Sequence, residues 1–143
     1  MIVVGAGFEG LEEISIPVLR QLYLGRRTRL EGLRVRPLHL PAGSLARNAF
    51  TRAVIGTTER AMERYWLREA LSGGSPPPRE LAADEALAFV ARVPGALAYV
   101  EWPLRGREPP AGVRVVPVVV DGRVLRPGEP GYPLRLPAPR PSS

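Results

Sequence analysis

Apolar and polar positions along the chain alternate between the two-residue period of strands and the three-to-four-residue period of helices. Ile2 to Val4 is a short apolar run followed by a glycine turn, which predicts a buried strand. Three further strands are predicted at Leu33 to Leu40, Ala96 to Val100 and Val113 to Val120. Segments with helical spacing lie between them, so the pattern predicts strands interleaved with helices.

The first two predicted helices each begin after a serine that can cap the opening turn. Ser15 precedes the first helix, which ends near Gly25, and Ser44 precedes the second, which ends at Gly56. The second helix is expected to direct five side chains inward: Leu45, Ala49, Phe50, Ala53 and Val54. Two more helices are predicted over approximately residues 57–71 and 84–93, separated by a glycine- and proline-rich loop.

This alternation predicts an α/β fold in which helices flank a mostly parallel sheet. Pro117 interrupts the last long strand, and because a proline cannot donate to a ladder, we expect an edge position or a bulge there. After a surface link over residues 105–112 and this strand, Asp121 and Gly122 predict a C-terminal hairpin to Arg123–Leu125. One domain is expected over residues 1–136, followed by a flexible proline-rich tail over residues 137–143.

Composition narrows the classes of protein that the chain can belong to. With 143 residues, 45% apolar and 24% charged, it matches a single globular domain with one core. All 20 basic residues are arginine against 14 acidic residues, so the net charge of +6 favours anionic partners. The lack of lysine and the 17 prolines are typical of a biased genome or a hot habitat, so we expect a thermostable protein. The absence of cysteine excludes disulfides, thiolate metal sites and a cysteine nucleophile.

Several stretches, in order, resemble the phosphate-type solute-binding proteins of bacterial ABC importers. Ile16–Leu30 is similar to a helix and turn of that family, Pro41–Phe50 to its "D-G-S-G-T" loop and helix start, and Pro94–Val100 to its "P-G-A-I-G-Y-V" turn. A fourth, softer match is Val119–Gly122 followed by Gly131–Leu134, which resembles the family's terminal hairpin and "Y-P-L" segment. This chain also resembles short single-lobe relatives of the family in having an arginine at the position of Arg47.

The resemblance implies one lobe of a type 2 periplasmic-binding-protein-like fold. It implies a solute receptor that serves a membrane transporter or a sensor and binds a small anion such as phosphate, sulfate or a carboxylate. The full receptors have two lobes hinged around the solute, so the resemblance implies that this chain acts as a single lobe or assembles with another chain, of which a homo-oligomer is one form. An extracytoplasmic, periplasmic location is expected if a leader was removed before Met1, and a cytoplasmic location otherwise.

The candidate ligand-binding residues are Gly43, Ser44, Leu45, Ala46 and Arg47. A helix N-terminus presents free amides and a partial positive charge, so the hydroxyl of Ser44 and the following amides could converge on an anion. Arg47 on the first turn could add a bidentate fork. The family's glycine, threonine and aspartate are replaced here by Leu45, Ala46 and Ala42, which argues against the family's selectivity for phosphate.

Two other classes of function compete with solute binding. A protein-interaction module of the same fold would use Trp66, Trp102 and the apolar tail. Nucleic-acid binding, the less favoured alternative, would use five arginines close in sequence: Arg26, Arg27, Arg29, Arg34 and Arg36. An enzyme is not expected, because the single histidine, His39, has no partner acid or second histidine, and no cofactor or metal site is predicted.

Overall fold

The computed structural model describes residues 1–102 and 109–134. Within these ranges the strands are β1 (Ile2–Val4), β2 (Ile14–Ser15), β3 (Arg29–Leu30), β4 (Leu33–Arg34), β5 (Arg36–His39), β6 (Arg79–Glu80), β7 (Ala96–Tyr99), β8 (Arg114–Val116), β9 (Val118–Val120) and β10 (Arg123–Leu125). The helices are α1 (Ile16–Tyr23), α2 (Leu45–Phe50), α3 (Glu59–Leu71) and α4 (Ala83–Arg92), and a π-helical turn, Thr51–Ile55, continues α2. The predicted link over residues 105–112 lies partly outside the described residues, and the predicted tail over residues 137–143 lies wholly outside them.

The main sheet has the strand order β6-β5-β7-β1-β8 and is mixed in direction. β5 pairs in parallel with β6 and β7, whereas β1 pairs antiparallel with both β7 and β8. A mixed α/β architecture is therefore present, but the prediction of a mostly parallel sheet is wrong. The reason is that a fully buried run such as β1, whose three residues have no exposed surface, carries no signal of its direction.

The two longest predicted strands, Leu33 to Leu40 and Val113 to Val120, are each divided in the structure. Leu33 to Leu40 forms β4, in a hairpin with β3, and then β5 in the main sheet. The predicted strand around Pro117 forms β8, at the edge of the main sheet, and β9, which pairs with β10 and β2. Pro117 lies at the transfer between sheets, and its carbonyl accepts from the amide of Ile14 at 3.0 Å. The predicted hairpin turn at residues 121–122 is present between β9 and β10.

The helix starts that the sequence predicts are confirmed by their caps. The hydroxyls of Ser15, Ser44 and Thr58 accept from the amides three residues farther on, and Gly56 ends the π-helical turn with a left-handed backbone. The inward face predicted for the second helix is wrong at Leu45, whose side chain is 62% exposed. The buried stripe instead repeats every four residues, at Ala46, Phe50 and Val54, and Leu45 lies one position off it.

Buried apolar side chains form one cluster that joins the sheet to the helices. α4 packs against β1 and β7, and α1 packs against the π-helical turn and β2. In the part of the chain that the structure describes, no helix combines the length and apolar character that crossing a bilayer requires.

Gly5 follows β1 and sets how closely α4 approaches the centre of the sheet. A Cβ at this position would overlap the backbone carbonyl of Val90 in α4, whereas a Cβ at Gly10 would have no neighbour within 4 Å. We expect Gly5→Ala to lower the free energy of unfolding by about 1–3 kcal/mol, as overpacking does in other cores. Gly10→Ala is the matched control, and urea unfolding that shows equal stability for the two variants would contradict this packing.

Candidate functional site

A buried group of aromatic rings and one imidazole lies beneath the candidate site. Tyr23, His39, Phe50 and Tyr99 bring α1, β5, α2 and β7 together, and none of the four side chains is appreciably exposed. The rings of Phe50 and Tyr99 are stacked with centroids 3.9 Å apart, and Tyr23 meets Phe50 edge-on at 4.6 Å. The hydroxyl of Tyr23 donates to the carbonyl of Leu38 at 2.9 Å. This packing fixes the start of α2 relative to the sheet.

His39 is held in this group as a neutral imidazole. Its Nδ1 lies 2.7 Å from the hydroxyl of Tyr99, which also accepts from the amide of Leu40 at 3.2 Å. A hydroxyl that accepts from an amide can donate to a neutral imidazole at the same time. Burial lowers the pKa of His39 to about 3, and the nearby charge of Arg47 acts in the same direction.

The candidate turn lies on the surface above this group. Pro41, Ala42, Gly43 and Leu45 are exposed, and Gly43 has a positive φ of 86° with open space around it. The hydroxyl of Ser44 accepts from the amide of Arg47 at 3.3 Å, and the carbonyl of Ser44 accepts from Asn48 at 3.0 Å. The amides of Leu45 and Ala46, at the first two positions of α2, have no intrahelical partner.

Arg47 is held in place by two carboxylates and a carbonyl. Its Nη1 donates to the carbonyl of Leu40 at 3.1 Å and to Glu80 Oε2 at 3.0 Å, while its Nε lies 3.2 Å from Glu59 Oε2. The side chain is only 15% exposed, so these acids neutralise a charge that would be costly to bury alone. Glu59 also accepts from the hydroxyl of Thr51.

Glu80 lies across the candidate turn. The parallel pairing of β5 with β6 sets His39 opposite Glu80, which delivers the carboxylate to the turn. Its Oε1 accepts from the amide of Ala42 at 3.2 Å while its Oε2 accepts from Arg47, so one carboxylate joins both donors. Glu80 is 51% exposed, which leaves its carboxylate accessible to exchange with solvent or solute.

The structure brings Gly43, Ser44, Leu45, Ala46 and Arg47 together on one exposed turn, but it gives two of them other partners. Ser44 caps its own helix, and Arg47 is paired with acids that sequence analysis did not identify. Glu80 follows the proline run and Glu59 begins α3, so neither stands in a recognisable motif with Arg47. Their role depends on β5–β6 pairing and helix packing between distant segments, and no local pattern signals it.

Across residues 1–102 and 109–134, no group of three or more histidine, aspartate or glutamate side chains is placed to hold a metal ion.

Comparison with known proteins identifies a likeness in fold. A crystal structure assigned as a phosphate ABC transporter substrate-binding protein from Clostridium perfringens, with bound phosphate, matches at a TM-score of 0.61 and 13% sequence identity. The match covers 85% of this chain and 44% of that chain, so this chain spans less than half of its neighbour's length. No family model and no curated protein matches the sequence. The likeness concerns the fold, and it carries no assignment to the family.

The buried neutral imidazole predicts a specific pH dependence of stability. The pKa of His39 falls from its ordinary value of 6.5 to about 3 on folding, so the unfolded chain binds the extra proton between these values. Stability from this residue is fully present above pH 6.5 and is lost as the pH falls toward 3, with a slope of up to about 1.4 kcal/mol per pH unit.

His39→Gln keeps a polar side chain that does not titrate. Urea unfolding of both proteins across this pH range should therefore show the stability difference between them changing steadily in favour of the variant as the pH falls. A difference that stays constant with pH would mean that His39 does not titrate on unfolding.

Proposed function

We propose that this chain is a binding domain, not an enzyme, and that it holds a small anion such as phosphate, sulfate or a carboxylate at the turn Pro41–Arg47. The ligand would accept hydrogen bonds from the free amides of Leu45 and Ala46 and would take the place of Glu80 on Ala42 and Arg47. The positive end of α2 adds to the attraction for negative charge.

The observation that carries the proposal is the position of the Glu80 carboxylate. It already occupies donors of this turn, with oxygens 3.2 Å from the amide of Ala42 and 3.0 Å from Nη1 of Arg47. A carboxylate tethered in this way has the charge and hydrogen-bonding capacity of a free anion. It would therefore compete with the solute and make binding depend on its displacement.

The fold likeness to a receptor with bound phosphate supports this class of function. Because the chain spans 44% of that neighbour, the proposal includes a second surface to complete the site, contributed by another chain, a membrane transporter or a sensor. A domain that binds solutes for a transporter or a sensor would lie outside the cytoplasm, beside the membrane.

Removing the charge of Glu80 should strengthen anion binding. In Glu80→Gln the neutral amide competes less well for Ala42 and Arg47, so we expect phosphate or sulfate to bind about tenfold more tightly, as loss of one competing charge-assisted contact would allow. Isothermal titration calorimetry of both proteins with phosphate, sulfate and succinate measures the effect.

Glu12→Gln provides the matched control, because it makes the same change in charge at an exposed residue before β2. Equal anion affinities for the two variants would show that only net charge matters. Absence of heat and of thermal stabilisation with every anion, in the parent protein and in Glu80→Gln, would overturn the proposal.

One surface feature favours the alternative of a protein-interaction module. Leu67 and Leu71 lie one turn apart on α3 and are 61% and 80% exposed, which places two large apolar side chains side by side in water. Under this alternative, sedimentation velocity would detect self-association that Leu67→Glu abolishes. A concentration-independent monomer would oppose self-association.

A further inference from the structure

A cleft of about 290 Å³ lies on another part of the surface, between β4, β5, the end of α1, α3 and the proline loop. It does not include any residue of the candidate turn. Four arginines line it, Arg27, Arg34, Arg36 and Arg79, and no acidic residue is among its lining. Three of the four, Arg27, Arg34 and Arg36, belong to the group of arginines found in the sequence at residues 26–36, whereas Arg79 comes from β6, far along the chain.

The charge of this cleft is uncompensated within the described residues. None of the four guanidinium groups makes an ion pair there, in contrast to Arg47 with its two carboxylates. The guanidinium of Arg27 donates to the carbonyl of Arg29 at 3.1 Å, and that of Arg79 lies over the ring of Phe89, 5.5 Å from its centroid. Like charges gathered around a concave surface repel one another and attract anions, so a bound anion would stabilise the arrangement.

The cleft also has an apolar wall. Trp66 contributes its ring, held by an edge-on contact with Tyr65 at 4.9 Å, and the hydroxyl of Tyr65 donates to the carbonyl of Leu24 at 2.7 Å. Pro76, Pro77 and Pro78 continue the wall, and consecutive prolines have restricted backbones. An indole ring and proline side chains that are held in place in this way suit contact with a planar ring of a ligand. Such a ring would gain little binding energy from the arginines alone.

Gly25 allows this wall to close on the end of α1. Its φ is 73°, and a Cβ there would lie 3.1 Å from Cβ of Ser75 and 3.9 Å from the ring of Trp66. The loop and α3 therefore approach α1 at a point where only glycine fits without strain.

We propose that this cleft binds an organic anion that carries a planar ring and a phosphate, of the size and chemistry of a nucleoside monophosphate. The phosphate would lie among Arg34, Arg36 and Arg79, and the ring would lie against Trp66 and the prolines. The volume of the cleft, about 290 Å³, is at the lower end for small-molecule sites and suits one such molecule. The site is separate from the turn at residues 41–47 and does not depend on the function proposed for it.

Trp66 can report on its own site, because the chain has two tryptophans and Trp102→Phe removes the other. In this background we expect AMP to quench the fluorescence of Trp66 in a saturable way, since a base stacked on the indole changes its surroundings. Inorganic phosphate and adenosine should each bind at least about tenfold more weakly, because each satisfies only one of the two walls.

Arg34→Gln and Arg36→Gln, made in the same background, should each weaken AMP binding by about fivefold or more through loss of a charge-assisted contact. Arg52→Gln is the control, since it removes the same charge from an exposed residue outside the cleft and should leave AMP affinity nearly unchanged.

Three outcomes would overturn the proposal. The first is no quenching by millimolar AMP in protein whose circular dichroism shows it to be folded. The second is phosphate that binds as well as AMP, which would make the cleft a simple anion site. The third is an equal loss of AMP affinity in Arg34→Gln and Arg52→Gln, which would reduce the effect to net charge.

Discussion

The burial of His39 beside Tyr99 is the constraint on which the rest of the structure depends. A polar ring can remain in an apolar core only when its hydrogen bonds are satisfied, and here the hydroxyl of Tyr99 joins Nδ1 of His39 to the amide of Leu40. This contact locks β5 to β7, and the stacking of Phe50 on Tyr99 adds α2 to the same unit. The exposed turn and its carboxylates therefore rest on a core with little freedom to shift.

Some features of this structure could be predicted from short stretches of sequence, and others could not. Ser15, Ser44 and Gly56 signal the ends of helices through bonds that span only a few residues, so their positions follow from the sequence. The direction of β1 and the partners of Arg47 depend on segments far apart in the chain, and periodicity carries no information about them. The second helix is an intermediate case, because Phe50 and Val54 of its predicted inward face are buried but Leu45 is exposed, and Ala46 takes the buried position instead.

The two regions proposed to bind anions differ in how their positive charge is compensated. At the turn, two glutamates of the chain itself surround Arg47, so its charge is already compensated and a ligand would have to exchange with Glu80. In the cleft, guanidinium groups line a concave surface without acids, and balance has to come from solution. At the turn, competition with Glu80 favours selectivity among ligands. In the cleft, the uncompensated arginines favour long-range attraction of anions, which salt would weaken.

The antiparallel position of β1 also affects how the chain reaches its native state. Ile2 is flanked by Tyr99 on one side and Val116 on the other, so β1, an interior strand of the main sheet, has no neighbour until residue 99 is present and lacks its second neighbour until residue 116. During synthesis this early apolar segment emerges long before either neighbour. Such non-local closure slows folding and prolongs the exposure of an apolar strand, which favours aggregation of the incompletely folded chain.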